Sequence, residues 1–161
     1  MIVVVADTSP LNYLIQIKCE PLLPALYGRV FVPVAVLRKL NQPGTPNIVR
    51  SWLQHLPEWM AVREVRSAPA QALAALGPGE REAIQLALEE SADLLLIDEK
   101  LGVRLARERG LTVTGTLGIL VHAAQHGLVE IDAALANLQA TDFRCTPNLF
   151  GWARQCASES H

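Results

Sequence analysis

The sequence predicts a single α/β domain in which a parallel sheet is covered by helices on both faces. Two runs, Ile2–Ala6 and Leu94–Ile97, are continuously apolar, which is typical of strands buried on both faces of a parallel sheet. Segments with helical spacing alternate with these and with weaker strands, and this alternation favours crossover connections between parallel strands. The chain has 161 residues, of which 50% are hydrophobic and 19% charged, so it can bury one core and is not disordered.

The N-terminal part of the chain is expected to hold three strands and four helices. Thr8 or Ser9 can cap the first helix, and Pro10 suits its first turn. Gly28 ends the second helix, and the stretch 42–46, which contains two prolines and a glycine, is a turn. The predicted strands are 2–6, 29–32 and 60–65, and the predicted helices are 8–19, 21–27, 33–40 and 47–56.

The C-terminal part is expected to add two strands and six helices. Gly110 and Gly127 each end a helix. The segment 80–90 is amphipathic, and the residues expected on its buried face are Ala83, Ile84, Ala87 and Leu88. The predicted strands are 93–97 and 111–114, and the predicted helices are 68–76, 80–90, 99–109, 116–126, 131–138 and 147–156.

Composition excludes several classes of protein. The net charge of −2 excludes a strongly basic nucleic-acid-binding protein, although it leaves room for a local basic groove. The apolar runs are too short to span a bilayer, and no basic segment precedes Asp7 as it would in a secretory signal. Cys19, Cys145 and Cys156 are too scattered for a disulfide framework and indicate reduced thiols. We therefore expect a cytoplasmic protein without a membrane partner.

Acidic residues gather where the chemistry of such a sheet is expected. Asp7 and Asp98 each end a strand, and ligands of open α/β sheets bind outside the carboxyl ends of the strands. Glu80 and Glu82 lie in the first turn of a helix. Each has a structural alternative, because Asp7 could cap a helix and the glutamates could interact with the helix dipole. As a cluster, such carboxylates are ligands that Mg²⁺ and Mn²⁺ prefer, and they suit phosphodiester hydrolysis.

Four motifs in order resemble the PIN-domain superfamily. They are especially similar to the branch of VapC-type toxins that begins Asp-Thr-Ser-Pro-Leu. The motifs are Asp7–Leu11 (DTSPL), Gly79–Ile84 (GEREAI), Ala92–Glu99 (ADLLLIDE) and Gly115–Gly118 (GTLG). The resemblance implies one PIN-like domain over residues 1–150, with a central parallel sheet of about four to five strands, and residues 151–161 as the end of a C-terminal helix and a tail.

The resemblance also implies an activity and a site. It implies an endoribonuclease that uses Mg²⁺ or Mn²⁺, often the toxin of a toxin–antitoxin pair, with a cognate antitoxin as partner. It implies a homodimer formed in part by the leucine-rich helices at 11–17 and 21–27. The implied catalytic residues are Asp7, Glu82 and Asp98, which with Glu80 would bind the metal, while Thr8, Ser9 and Thr116 would line the pocket.

One position departs from the family pattern. Lys39 lies where the family usually places a glutamate, in the helix after the second strand. A lysine beside carboxylates satisfies part of their charge without metal. The sequence therefore leaves open a catalytically silent PIN-like protein that binds RNA or a protein partner, and also a nuclease whose substrate is DNA.

Basic and aromatic residues offer a weaker signal for RNA binding. Lys100, Arg104 and Arg107 recur at helical spacing, which fits either a solvated helix face or contacts with an RNA backbone. The tryptophans could stack on bases, although such residues more often anchor a core or an interface. These are Trp52, Trp59 and Trp152.

Overall fold

The computed structural model describes residues 2–68 and 70–159 and has a five-stranded, wholly parallel sheet. The strand order is β3-β2-β1-β4-β5. The strands are β1 Val4–Ala6, β2 Val30–Pro33, β3 Met60–Arg63, β4 Leu94–Leu96 and β5 Val113–Thr114. The predicted fold class is confirmed, since helices pack on both faces of this sheet.

Nine helices are found in the described part of the chain, together with one short 3₁₀ turn at Gln71–Leu73. The first four are α1 Thr8–Gln16, α2 Leu22–Tyr27, α3 Val34–Leu40 and α4 Asn47–Trp52. The other five are α5 Pro78–Glu89, α6 Lys100–Glu108, α7 Thr116–Gln125, α8 Ile131–Gln139 and α9 Pro147–Ser158. None of the helices in residues 2–68 and 70–159 is long and apolar enough to cross a membrane.

The direction of the crossovers reverses between β1 and β4. The chain leaves β1 for β2 and β3 on one side, then returns to place β4 directly beside β1. The two central strands pair in register, with Ala6 opposite Leu96. The Asp7 amide extends this pairing by donating to the Leu96 carbonyl at 2.8 Å. The ends of β1 and β4 therefore form the switch point at which open α/β sheets bind ligands.

The core consists of two apolar clusters, one on each face of the sheet. Val4 and Ala6 point into the cluster formed with α1, α2 and α7, whereas Val5 points into the cluster formed with α5 and α6. This alternation follows from the two-residue period of a strand. Because β1 is buried on both faces, its residues are apolar throughout, as the sequence predicted.

The leucine-rich helices α1 and α2 bury their apolar residues in the chain's own core. The buried side chains are Leu11, Leu14, Ile15, Leu22 and Leu23. They are therefore not available to contact a second protomer, and a homodimer, which stays a prediction, would have to use other residues.

The predicted helix at 68–76 is wrong within the described residues, where only Gln71–Leu73 form a 3₁₀ turn; Pro69, which lies in that segment, is outside them. Among its described residues the segment buries only Leu73 and Leu76, and a short helix is marginal without a large apolar face. Side chains of α5 hold the preceding backbone instead. The Gln85 amide donates to the Ala68 carbonyl at 3.0 Å, and the Glu89 carboxylate accepts from the Ser67 amide at 2.8 Å.

Two smaller predictions also need correction. Helix α4 ends at Trp52 rather than at 56, and Leu56 is exposed. In α5, Leu88 is exposed and Leu86 is buried in its place. Helix α5 contacts the sheet, α3 and α6, so it buries a wider arc than the single stripe expected of an amphipathic surface helix.

Candidate functional site

Asp7 lies at the centre of the site and is almost completely buried, with 1% of its surface exposed. It occupies the position before α1, but its side chain makes no capping hydrogen bond there. Its Oδ1 atom has no hydrogen-bond partner among the residues that the structure describes. The structural alternative, in which Asp7 serves as a helix cap, is therefore not what is observed.

The environment of Asp7 raises the pKa of its carboxyl from 3.8 to about 7. Burial is the largest cause, and the negative charges of Glu80 and Asp98 add to it, while the nearby Thr8 amide and the charge of Lys39 act in the opposite direction. A buried carboxylate with an unpartnered oxygen is costly unless it takes a proton or a cation. Asp7 therefore needs one or the other near neutral pH.

Asp98, in contrast, is held by three hydrogen bonds from two helices. The Thr116 amide donates to Oδ1 at 2.7 Å and the Thr116 hydroxyl donates to Oδ2 at 2.6 Å. The Ser9 hydroxyl donates to Oδ2 at 2.8 Å. Gly115 makes this approach possible, because a Cβ atom at that position would overlap the Asp98 carboxylate. The carboxylate is therefore fixed in orientation before any ligand arrives.

The first turn of α5 packs directly against Asp7 and Thr8. Pro78 starts this helix, where no amide donor is needed. A Cβ atom on Gly79 would lie 3.0 Å from the Thr8 hydroxyl and 3.5 Å from Asp7 Oδ1. The Thr8 hydroxyl, like Asp7 Oδ1, is buried without a partner among the described residues. Two unpartnered oxygens thus face Gly79 where α5 meets the sheet edge.

The two glutamates of α5 have different surroundings. Glu80 lines a cleft of about 250 Å³ together with Lys39 and Glu99. Its negative charge contributes to the raised pKa of Asp7. Glu82 points to the start of α3, where its Oε1 accepts a hydrogen bond from the Ala35 amide at 3.2 Å. A carboxylate at a helix N-terminus is favourably placed, so Glu82 joins α5 to α3 at the rim of the site.

Lys39 borders the site from α3 and is exposed. It lines the Glu80 cleft on one side and, on the other, a cleft of about 360 Å³ that Thr8 also lines. Within the described part of the chain, no carboxylate lies within ion-pair distance of Lys39. Its charge lowers the Asp7 pKa, but the raising causes outweigh it. Lys39 therefore compensates only part of the negative charge of Asp7, Glu80 and Asp98, which together form the acidic centre of the site.

The residues at this edge fit one cation with a small protein ligand set. Among residues 2–68 and 70–159, no three His, Cys, Asp or Glu side chains are arranged to hold a metal ion. Mg²⁺, however, is usually bound through one or two carboxylates and keeps several waters. The unpartnered Asp7 oxygen and the oriented Asp98 carboxylate are the two groups that could hold such an ion. The donor set therefore suits a hydrated divalent ion better than a fully protein-bound one.

The predicted basic residues lie on α6 beside the site. Lys100 and Arg107 line a cleft that reaches Asp98. Arg104 lines an adjoining cleft that Asp98 also lines, and it forms a long, exposed ion pair with Glu108 at 3.9 Å. The sequence reasoning did not find Arg144, which lines the same cleft as Lys100 and Arg107 from the segment between α8 and α9. No local motif marks Arg144, because only the packing of α9 on α7 brings that segment to the site.

A match to a family model shows the family of this chain. A family model, DUF3368, described as a PIN domain, matches residues 3–159. No curated protein matches the chain. The chain is similar to a PilT N-terminus domain protein from the hyperthermophilic archaeon Sulfolobus solfataricus P2, at 16% identity and a TM-score of 0.49. That match covers 89% of this chain and 99% of the archaeal one. Since the family model spans nearly the whole chain, this protein belongs to the PIN-domain family, whose members are generally nucleases and typically use divalent metal ions.

Proposed function

We propose that this protein is a metal-dependent endoribonuclease that hydrolyses RNA phosphodiester bonds with Mg²⁺ or Mn²⁺ as cofactor. The observation that carries this proposal is the buried Asp7, whose unpartnered oxygen is open to a cation once the carboxyl has lost its proton, together with an Asp98 that is already oriented. Both lie at the sheet edge where α/β folds bind ligands. Family membership supports a nuclease.

Each residue of the site has a role in the proposal. Asp7 and Asp98 hold the ion. Glu80, at the start of α5, adds a further negative charge near it. Glu82 acts through α3 and through water, because its carboxylate already accepts the Ala35 amide. The hydroxyl-bearing residues position the carboxylates and the bound waters; they are Thr8, Ser9 and Thr116.

Hydrolysis adds one water across the phosphodiester. The water oxygen bonds to phosphorus, the bond from phosphorus to one ribose oxygen breaks, and that ribose oxygen takes up a proton. A divalent ion supplies Lewis acidity that lowers the pKa of water and offsets negative charge on the phosphate. Ser9 and Thr116 keep Asp98 fixed throughout, so little reorganisation is needed during the reaction.

The biological setting is proposed from the DTSPL, GEREAI, ADLLLIDE and GTLG motifs. These support a cytoplasmic VapC-like toxin that is restrained by a cognate antitoxin protein and that forms a homodimer. A homodimer would not use the apolar faces of α1 and α2, since those faces are packed in the core.

A second function is a catalytically silent PIN-like protein that binds RNA or a protein. The observation in its favour is Lys39, whose positive charge borders the site and acts on Asp7. In that case the lysine takes the place of a metal ion as the counter-charge. The unpartnered Asp7 oxygen favours the nuclease, because Lys39 leaves it without a hydrogen bond.

The test is cleavage of a mixed panel of RNAs, and of DNA strands with the same sequences, in Mg²⁺, Mn²⁺ or EDTA. Asp98→Asn is compared with Asp93→Asn, which makes the same change at the opposite end of β4, where Asp93 accepts the Val3 amide at 2.7 Å. We expect metal-dependent RNA cleavage by wild type and Asp93→Asn, and none by Asp98→Asn. Cleavage of DNA alone, or RNA cleavage that survives in Asp98→Asn, contradicts the proposal.

A further inference from the structure

We propose that the cleft between α6, the start of α7 and α9 binds a single strand of RNA, with phosphates on three basic residues and a base stacked on Trp152. This inference rests on the proposed ribonuclease function and names the path by which the strand reaches the acidic centre. The cleft has a volume of about 680 Å³. The three basic residues that line it are Lys100, Arg107 and Arg144.

Positive charges outnumber negative ones among the residues that line this cleft. Asp98 is the one acidic residue among those that line the cleft. In the described part of the chain, Lys100, Arg107 and Arg144 take part in no ion pair within 4 Å. The protein as a whole has a net charge of −2, so three free cations in one cleft are a local exception. A polyanion that binds there neutralises them and releases its own counterions.

Trp152 supplies an aromatic surface in the same cleft. It is 47% exposed, and Leu149, one turn earlier on α9, is 45% exposed. The other two tryptophans differ, because Trp52 and Trp59 pack against each other with ring centroids 6.1 Å apart and contact the core. An exposed indole among cations is the combination that binds single strands, in which bases stack on aromatic rings while the backbone follows positive charge.

The cleft also has the right position for a substrate strand. Asp98 lines it, and Lys100 follows two residues later at the start of α6. A strand that follows this cleft past Trp152 therefore also passes Asp98. A protein segment is the other possible occupant of an exposed tryptophan and leucine. The three cations favour RNA, because an apolar protein segment leaves them without partners.

The test is binding of a short, unstructured, fluorescently labelled RNA in EDTA, followed by anisotropy over a range of salt concentrations. The variants are Arg107→Gln, Arg144→Gln and Trp152→Ala, with Trp152→Phe as the conservative change. Arg154→Gln is the matched control, since Arg154 lies on α9 but is paired with Asp132 at 2.9 Å. Circular dichroism checks that each variant folds.

We expect Arg107→Gln and Arg144→Gln each to weaken RNA binding about fivefold or more and to reduce the salt slope by about one. Trp152→Ala weakens binding about tenfold, and Trp152→Phe retains most of the affinity. Unchanged affinities in the folded variants overturn the inference, as does wild-type protein that does not bind the RNA. Loss of affinity for a protein partner with RNA binding unchanged identifies the cleft as a protein-binding site and also overturns it.

Because the assay contains no metal, its outcome is independent of cleavage. If RNA binding depends on the cleft but the protein cleaves nothing, the cleft is an RNA-binding site and the proposed ribonuclease activity is wrong. If Arg144→Gln and Trp152→Ala cleave RNA in the presence of metal at the wild-type rate and bind it with the wild-type affinity, the ribonuclease activity stands and the proposed RNA-binding role of the cleft is wrong.

Discussion

Thr116 donates two hydrogen bonds to Asp98, from its amide at 2.7 Å and from its hydroxyl at 2.6 Å. Thr116 is fully buried and is the first residue of α7, so the start of that helix fixes the acidic group at the end of β4. Ser9 reaches the same carboxylate from α1. The geometry of the site therefore depends on where two helices begin as much as on the acidic residues.

Thr116→Val tests this dependence, because it removes the hydroxyl donor and keeps the amide. Hydrogen bonds to charged groups contribute about 1.5–3 kcal/mol, so we expect the rate of RNA cleavage to fall at least tenfold. Thr116→Ser, which keeps the hydroxyl, should retain most of the rate. Single-turnover cleavage measures both, and equal rates for the valine and serine variants would show that the hydroxyl is not needed.

Gly115→Ala tests the close approach on the other side of Asp98. A Cβ atom at Gly115 overlaps the carboxylate, so the side chain must move and we expect cleavage to be strongly reduced. Gly151→Ala is the control, since no atom lies within 4 Å of its added Cβ. Alanine within the α9 helix should leave stability unchanged or raise it slightly, by about 0.5–1 kcal/mol. A Gly115→Ala variant that is as active as Gly151→Ala contradicts the steric argument.

The raised pKa of Asp7 predicts how the stability of the metal-free protein depends on pH. Its pKa is 3.8 in the ordinary state and about 7 in the fold, so the folded protein binds this proton more tightly than the unfolded chain does. The stabilisation is complete below about pH 4 and is lost as the pH rises to about 7. The loss is on the order of a few kcal/mol, since each pKa unit corresponds to about 1.4 kcal/mol.

Urea unfolding in EDTA across this pH range measures the effect. Wild type should lose stability between about pH 4 and pH 7, and Asp7→Asn should lose much less, because asparagine does not titrate there. If both proteins show the same pH dependence, Asp7 is not the group responsible.

The sequence predicts those parts of the site that depend on local patterns and misses those that depend on contacts between distant segments. Asp7 and Asp98 could be found because each follows a buried strand, and parallel strands end at one edge of a sheet. The hydrogen-bond partner of Glu82 could not be predicted from the sequence. The Ala35 amide reaches the Glu82 carboxylate only because α5 packs on α3. Arg144 lies outside every motif and reaches the site only through the packing of the C-terminal helices.

The fold shows the same division between local and long-range causes. Strands and most helices follow the apolar pattern, but the pattern does not say what an apolar face contacts. The leucine-rich pattern of α1 and α2 fits either a core or an interface, and five of its apolar residues are buried within the chain. Alanine content suggested a helix at 68–76, where contacts from Gln85 and Glu89 hold the backbone of the preceding residues.

Lys39→Glu tests the effect of the unusual lysine. It restores an acid beside the cleft that contains Glu80 and removes a positive charge that acts on Asp7. We therefore expect the affinity for Mn²⁺ to rise about fivefold or more. Arg38→Glu makes the same change of charge at the neighbouring exposed residue of α3. Calorimetry that gives the same gain for both variants would show a general charge effect and not a specific role of Lys39.

The most direct measurement is calorimetric titration of Mn²⁺ into wild-type protein, Asp98→Asn and Asp93→Asn at a pH above 7, where the Asp7 carboxyl is free to ionise. The account predicts that wild type and Asp93→Asn bind Mn²⁺ with similar affinity and that Asp98→Asn loses this binding. Wild-type protein that binds no Mn²⁺, or an Asp98→Asn variant that binds it as tightly as wild type, contradicts a cation held between Asp7 and Asp98.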